Sequence, residues 1–333
     1  MQILLVLFFK GKLSLKKIIN TVVCLVSYIR KSDKSGKTPF LINFDLSNKC
    51  NENCLFCRSE KGEIYNLNPK SDSKFIDKGN LDFEIYKDVI DQTKDTLLMS
   101  VPYVNGEPFI YSKLDKVIQY STDNNVATMM ATNGILLTKK NAQKVLDAGL
   151  DFIKVHVSGY TNEIHQVQHR VGDVETIKKN LIDLSQLIKE KKYKIIVVID
   201  YILYEHNKHE LDLFKNFVDE LGFSFNIRPG NPKGLEESEK SQFDKSKLPV
   251  NIPCDWLWKI LTVNWNGDVL PCCDYVVWDN TEGYANFQLG KTNIQEIWNG
   301  EKAIQMRKEH RQNGRHNIAI CEKCPRVGTG FKF

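Results

Sequence analysis

The sequence has no apolar run near the ~20 residues that a membrane-spanning helix needs. Its two N-terminal apolar stretches, Ile3–Phe9 and Val22–Ile29, are too short. No basic segment precedes the first of them and no small-residue cleavage site follows, so a secretory signal is not expected. Charge of one sign is also lacking. The 46 Lys and Arg against 41 Asp and Glu leave +5, dispersed along 333 residues, so no nucleic-acid partner is expected. Internal repeats and low-complexity tracts are absent. The nine cysteines are odd in number and come without an export signal, so they do not form a disulfide framework. A cytoplasmic location is expected, where clustered cysteines hold metal more often than they pair.

Lys10, Lys12, Lys16 and Lys17 lie between the two short apolar stretches. Two readings stay open for residues 1–38, an amphipathic helical segment. It packs on the body of the protein, or residues 1–30 rest peripherally on the inner membrane face.

From residue 39 to 235 the chain alternates strand and helix patterns. Strands are predicted at Phe40–Leu46, Leu97–Val104, Ala127–Thr132, Phe152–Val157, Lys194–Leu203 and Phe223–Arg228. Helices are predicted at Phe83–Lys94, Ser112–Asn124, Lys139–Ala148, Val174–Lys191 and Lys208–Leu221, each with apolar residues three and four apart. The alternation implies an α/β fold with parallel strands and crossover helices, a partial (β/α)6 barrel whose site lies at the C-terminal strand ends. Asn43, Asp45, Asn226 and Arg228 alternate with apolar neighbours, which predicts a polar lumen. Asn231–Asn251, polar and charged with Pro near both ends, reads as a linker, so residues 236–333 hold that linker and a second, small domain.

Directly after the first strand comes Cys50-Asn-Glu-Asn-Cys54-Leu-Phe-Cys57. Three thiolates hold three irons of a [4Fe–4S] cube and leave the fourth iron open. Zinc normally takes a fourth protein ligand, and no His or Cys stands nearby to supply it.

Here the chain resembles the radical S-adenosylmethionine (SAM) superfamily, whose CxxxCxxC loop follows the first strand of a six-unit partial barrel. The resemblance implies that the open iron chelates SAM and that one-electron reduction yields a 5′-deoxyadenosyl radical. Phe56 occupies a position that is often aromatic in the family. Asn105-Gly106-Glu107-Pro108 is similar to the family's GGEP segment, with Asn in place of the first Gly. By the same resemblance Asn133, Ser158 and Arg170 are candidate SAM contacts, against the alternative of strand-end turns or surface residues. Ile227 is a candidate to flank the adenine through its backbone.

Cys254, Cys272, Cys321 and Cys324 form a second set. Asn266-Gly267 predicts a hairpin between the first two. The set resembles the SPASM/twitch extension of radical SAM enzymes and implies one auxiliary [4Fe–4S] cluster in the short, twitch form. A four-cysteine zinc site is the rival reading. Cys24 reads as a small buried residue. Cys273 is either an unused neighbour of a ligand or a catalytic hydrogen-atom donor.

The resemblance implies hydrogen abstraction from a substrate, followed by epimerisation or two-electron oxidation, with flavodoxin or ferredoxin as electron donor. Only 49 residues precede Cys50, and they do not read as a leader-binding domain. A small polar molecule, sugar- or aminocyclitol-like, is therefore favoured, with His156, Asp200 and Arg228 as candidate contacts. A peptide maturase is the alternative. A two-cluster electron carrier is disfavoured, because a carrier has no use for an open iron.

Overall fold

The computed structural model of the chain describes residues 2–58, 61–64, 74–230, 251–277, 282–322 and 324. The expected linker lies outside these residues except for Asn251, and so does the expected domain boundary at 235.

Six parallel strands follow the predicted order: β1 Leu41–Phe44, β2 Met99–Val101, β3 Ala127–Thr132, β4 Phe152–Val157, β5 Ile196–Leu203 and β6 Ser224–Pro229. Helices α3 Phe83–Thr93, α4 Leu114–Asp123, α5 Lys139–Asp147, α7 Val174–Lys191 and α8 Leu211–Leu221 supply the crossovers, and a short α6, Asn162–His169, precedes α7. Three of the five crossover helices, α3, α5 and α7, start at a side-chain cap. Asp82, Thr138 and Asp173 each accept a backbone N–H of the first turn that has no helical partner. Their apolar stripes, for example Val89 and Ile90 of α3 and Ile177 and Leu181 of α7, bury against Ile42, Val155 and Ile199 in one core.

The opposite face of the sheet is divided. Toward the N-terminal strand ends Leu41, Met99, Ala127, Met129 and Phe152 form a second core, closed by Leu7, Cys24 and Trp256. Leu7 and Cys24 belong to two N-terminal helices, α1 Gln2–Phe9 and α2 Leu15–Ile29. The polar lumen expected from β1 and β6 is therefore confined to the C-terminal half. The strand residues nearest the N-terminal ends are apolar because α1 covers them. Lys10 and Lys12, just after α1, clasp the buried Asp151 at 2.7 Å each and hold α1 in place.

The hairpin predicted around Asn266-Gly267 forms β7 Ile260–Val263 and β8 Asp268–Leu270, with Thr262 opposite Leu270. Gly267 takes φ +88 at the turn. This hairpin does not stand apart. β7 pairs in parallel with β1, and the described strands form one sheet in the order β6-β5-β4-β3-β2-β1-β7-β8-β9, β9 being Ala285–Asn286. Helices α9 Ile294–Trp298, α10 Glu301–Asn313 and α11 Ala319–Glu322 follow.

Candidate functional site

The loop leaving β1 is held by backbone as much as by side chains. Cys57 N–H and Arg58 N–H both donate to Cys54 O, at 3.0 and 2.8 Å, so Cys54 and Cys57 share one tight turn. Across from it passes the segment after β2. Glu107 N–H donates to Lys49 O at 2.9 Å, and Asn105 N–H to the Asp45 carboxylate at 3.1 Å. Gly106 lies so close that an added Cβ would stand 1.8 Å from Ser47 O. The buried Arg58 ties both segments together, its Nη2 donating to Asn48 O at 2.7 Å and Asn105 O at 2.8 Å. Burial raises the Asp45 carboxyl to about 6, against the pull of the Asn105 N–H and the Arg58 charge.

Glu107 joins this loop to β3. Its buried carboxylate accepts from Thr132 Oγ1 at 2.8 Å, Asn133 N–H at 2.9 Å and Phe109 N–H at 3.2 Å. Burial pushes the carboxyl up to about 7 against those donors. Asn133 in turn reaches Asn51 Oδ1 at 2.9 Å and Cys50 Sγ at 3.9 Å. Glu107→Gln keeps the shape but sets an NH2 group against a donor. We expect it to cost about 1–3 kcal/mol of stability and to weaken SAM binding, read by thermal melting and calorimetric titration with SAM.

A second clamp comes from α6. Leu55 N–H donates to Gln168 O at 3.0 Å. Glu52, buried inside the three-cysteine loop, accepts from His169 Nδ1 at 2.9 Å, and His169 Nε2 meets Ser158 Oγ at 3.0 Å. Ser158 is thus wholly buried at the end of β4, beneath His169. His165 stacks on His169 at 4.2 Å and takes the Ser158 N–H on its Nδ1 at 3.2 Å. Burial, with the neighbouring His169, keeps His165 well below the usual imidazole range. The next residue, Arg170, sits at φ +52 and ψ −85, a backbone rarely adopted by non-glycine residues.

The structure therefore gathers Cys50, Cys54, Cys57, Asn105, Gly106, Glu107, Asn133 and Ser158 around the ends of β1 to β4, while Arg170 caps the C-terminal end of α6. Ile227 stands apart on the edge strand β6 and is half exposed. Sequence reasoning passed over Glu52, Arg58 and His169. Glu52 carried one usable signal, a charge placed between cysteines. The other two are buried polar side chains whose cross-linking partners, Asn105 for Arg58 and Glu52 for His169, are distant in sequence.

On the lumen side of β4, β5 and β6 lies a fixed polar group. The fully buried Asp200 pairs with His156 Nε2 at 3.4 Å and Arg228 Nη1 at 3.2 Å, and accepts from Asn226 Nδ2 at 2.7 Å. Burial alone would raise its carboxyl. The neighbouring His156, 3.4 Å away, and then Asn226 overcome this and hold it well below the usual range.

Cys254, Cys272, Cys321 and Cys324 line one cavity together with Trp256, Tyr275 and Arg315. Cys324 N–H donates to Cys321 O at 3.3 Å in the turn between them. Burial pushes the Cys254 thiol up to about 12 and raises those of Cys272 and Cys321 as well. In the first set burial likewise raises Cys50, to about 11, and Cys54. Thiols collected in sites that penalise a bare thiolate suit bound iron, which compensates the thiolate charge. Both sets fit a cluster on this ground. Cys273 opens a short 3-10 turn, Cys273–Val277, beside this cavity but does not line it.

Two family profiles match the chain. One, described as the radical SAM superfamily, covers residues 45–217, more than half of the 333. The other, SPASM, described as an iron-sulfur cluster-binding domain, covers residues 254–325. The chain is 26% identical over 211 residues to the mycofactocin maturase MftC of Mycobacterium tuberculosis (strain CDC 1551 / Oshkosh), covering 62% of this chain and 48% of that one. It is 28% identical over 152 residues to a probable GTP 3',8-cyclase of Methanococcus maripaludis (strain C7), covering 45% and 46%. The chain thus spans about half the length of the curated relatives it matches. Among solved structures it is similar to Streptococcus suis SuiB bound to precursor peptide SuiA, with TM-score 0.61 and 12% identity over 85% of this chain and 69% of that one. It is also similar to BtrN in complex with AdoMet and 2-DOIA, with TM-score 0.53 and 20% identity over 86% and 93%. At these identities the likeness to solved structures is one of fold.

Proposed function

The chain belongs to the radical SAM superfamily and carries a SPASM-type iron–sulfur domain, and from that premise we propose that it abstracts hydrogen from a small polar molecule, sugar- or aminocyclitol-like, leading to epimerisation or two-electron oxidation. Cys50, Cys54 and Cys57 would hold the SAM-binding [4Fe–4S] cluster, and Cys254, Cys272, Cys321 and Cys324 an auxiliary one. When bound and reduced, cluster and SAM supply the 5′-deoxyadenosyl radical. Asn105, Gly106, Glu107, Asn133, Ser158, Arg170 and Ile227 would form the SAM side of the site. Glu107 orients the turns after β2 and β3, and Ser158 anchors the end of β4 through His169. An external reductant of flavodoxin or ferredoxin type completes the system.

The observation that carries the substrate class is the Asp200 group. Arg228 is fixed on a buried carboxylate yet remains 44% exposed, and His156 stands 3.4 Å from the same carboxylate with its side chain 31% exposed. Such preorganised donors suit hydroxyl, amino or phosphate groups of a compact ligand. The second reading, a peptide substrate, is favoured by the relatives named as maturases. The test is coupling. Sugar nucleotides, aminocyclitols and precursor-type peptides are offered in turn, and 5′-deoxyadenosine is measured. The class that raises it above the substrate-free rate is the substrate class; stimulation by peptides alone removes the small-molecule reading.

Cys273 decides between the two outcomes. In inversion its Sγ–H would give a hydrogen atom to the planar carbon radical, forming C–H and leaving a thiyl. A thiol exchanges with water, so in deuterated water the wild-type product should carry one deuterium at the inverted carbon. Cys273→Ala should still hold both clusters and cleave SAM but deliver no such label. An unlabelled product from wild type, with full turnover in Cys273→Ala, identifies an oxidase. Loss of the auxiliary cluster in Cys273→Ala makes that residue a ligand.

A further inference from the structure

Helix α2 is inverted. Its polar side chains face the protein: Lys17, Asn20, Cys24 and Ser27 are buried. They are also bonded there. Lys17 Nζ donates to Asn125 O at 2.6 Å, and Asn20 Nδ2 to Thr38 O at 3.0 Å and Thr96 O at 3.2 Å. These carbonyls precede β1, β2 and β3, so α2 caps the N-terminal strand ends, opposite the cysteine loop. Its apolar side chains face outward. Leu15, Ile19, Val22, Val26 and Ile29 recur every three or four residues and are 72, 54, 50, 37 and 72% exposed. Phe8 and Phe9 of the preceding helix are more than half exposed as well. Single exposed aliphatic residues are ordinary, but a continuous helical stripe of them is not.

The charge around the stripe says what covers it. Residues 1–32 contain no Asp or Glu; of their six cations, Lys10 and Lys12 are held by Asp151 and Lys17 by a backbone carbonyl, Lys16 pairs with Asp95 at 3.0 Å, and Arg30 and Lys31 remain at the C-terminal end of α2. Lys16 and Arg30 stand exposed at the two ends of α2, and Lys34 is exposed just beyond. Two lysines in the first turn oppose the helix dipole, which favours anions there. An apolar stripe about 22 Å long, from 15 residues at 1.5 Å rise, with cations at both ends matches acyl chains beneath anionic headgroups. Among the described residues no helix is long and apolar enough to cross a membrane. We propose that α2 lies in the plane of an anionic bilayer surface with Leu15, Ile19, Val22, Val26 and Ile29 immersed. The C-terminal strand ends, with the cysteine loop, then face away from the lipid.

The experiment is flotation of the full, cluster-loaded chain with vesicles. One set contains 30% phosphatidylglycerol in phosphatidylcholine, the other phosphatidylcholine alone. The protein should float with the anionic vesicles and much less with the neutral ones, and 0.5 M salt should weaken the binding several-fold. Val22→Glu and Ile19→Glu point into solvent and should leave 5′-deoxyadenosine formation unchanged while lowering flotation at least tenfold. Lys16→Glu with Arg30→Glu should lower binding to anionic vesicles only. Wild-type protein that floats with neither vesicle overturns the proposal. A soluble dimer by sedimentation velocity that Val22→Glu splits overturns it too, and makes the stripe an interface between copies. Equal binding to both vesicle types overturns the anionic part.

Discussion

Alanine at Cys50, Cys54 and Cys57 together should halve the iron of the reconstituted protein, from about eight to about four per chain, and stop 5′-deoxyadenosine formation. The first figure follows from two cubes of four irons each. The remaining half should stay because the second set of cysteines lines its own cavity, with none of the first set among its walls. Iron, sulfide and 5′-deoxyadenosine are measured on the same anaerobic sample. A triple variant that still cleaves SAM assigns the SAM-binding cluster to the C-terminal set and reverses the proposal. Wild-type protein that holds zinc and no sulfide removes both clusters from it.

Gly106→Ala should be nearly as damaging without touching a cysteine. The new methyl carbon would stand 1.8 Å from Ser47 O and 2.6 Å from Lys49 O. Both are backbone atoms and cannot turn away, so the two segments must separate. Separation breaks the Glu107 N–H bond to Lys49 O and strains the Arg58 bridge to Asn48 O and Asn105 O. A displacement near 1 Å at a reacting centre costs on the order of 100-fold in rate. We expect SAM cleavage to fall by about that factor, with the auxiliary iron retained and the helical circular dichroism unchanged. Activity within a few-fold of wild type would mean that this close approach does not position SAM.

The three-cysteine loop, the strand ends and the hairpin were legible because each is local. CxxxCxxC, Asn105-Gly106-Glu107-Pro108 and Asn266-Gly267 announce themselves within eight residues or fewer. The crossover helices were legible because the apolar period of three and four is local. What stayed hidden is what depends on distant partners. Glu52 and His169 lie 117 residues apart, and nothing in either segment alone predicts their pairing. That β7 would pair with β1 stayed hidden because a hairpin signal does not say which sheet it joins. The outward stripe of α2 was visible as apolar spacing, but which side of the helix the protein would use was not. That choice was made by Asn20 and Lys17, whose partners are carbonyls at the ends of other strands.

The pairing of β7 with β1 has a consequence for how the chain comes to be made. Leu41 waits for Ile260, 219 residues later, before its second edge is covered. At ~5–20 residues per second of synthesis that is roughly 10–45 s. During this time β1, three apolar residues and Asn43, presents an open edge with Cys50 a few residues away. Such an edge is a template for wrong pairing. The interval also leaves the first cysteine loop joined to an incomplete sheet. Cluster insertion before the C-terminal hairpin has docked would therefore meet a loop whose parent strand is held on one side only.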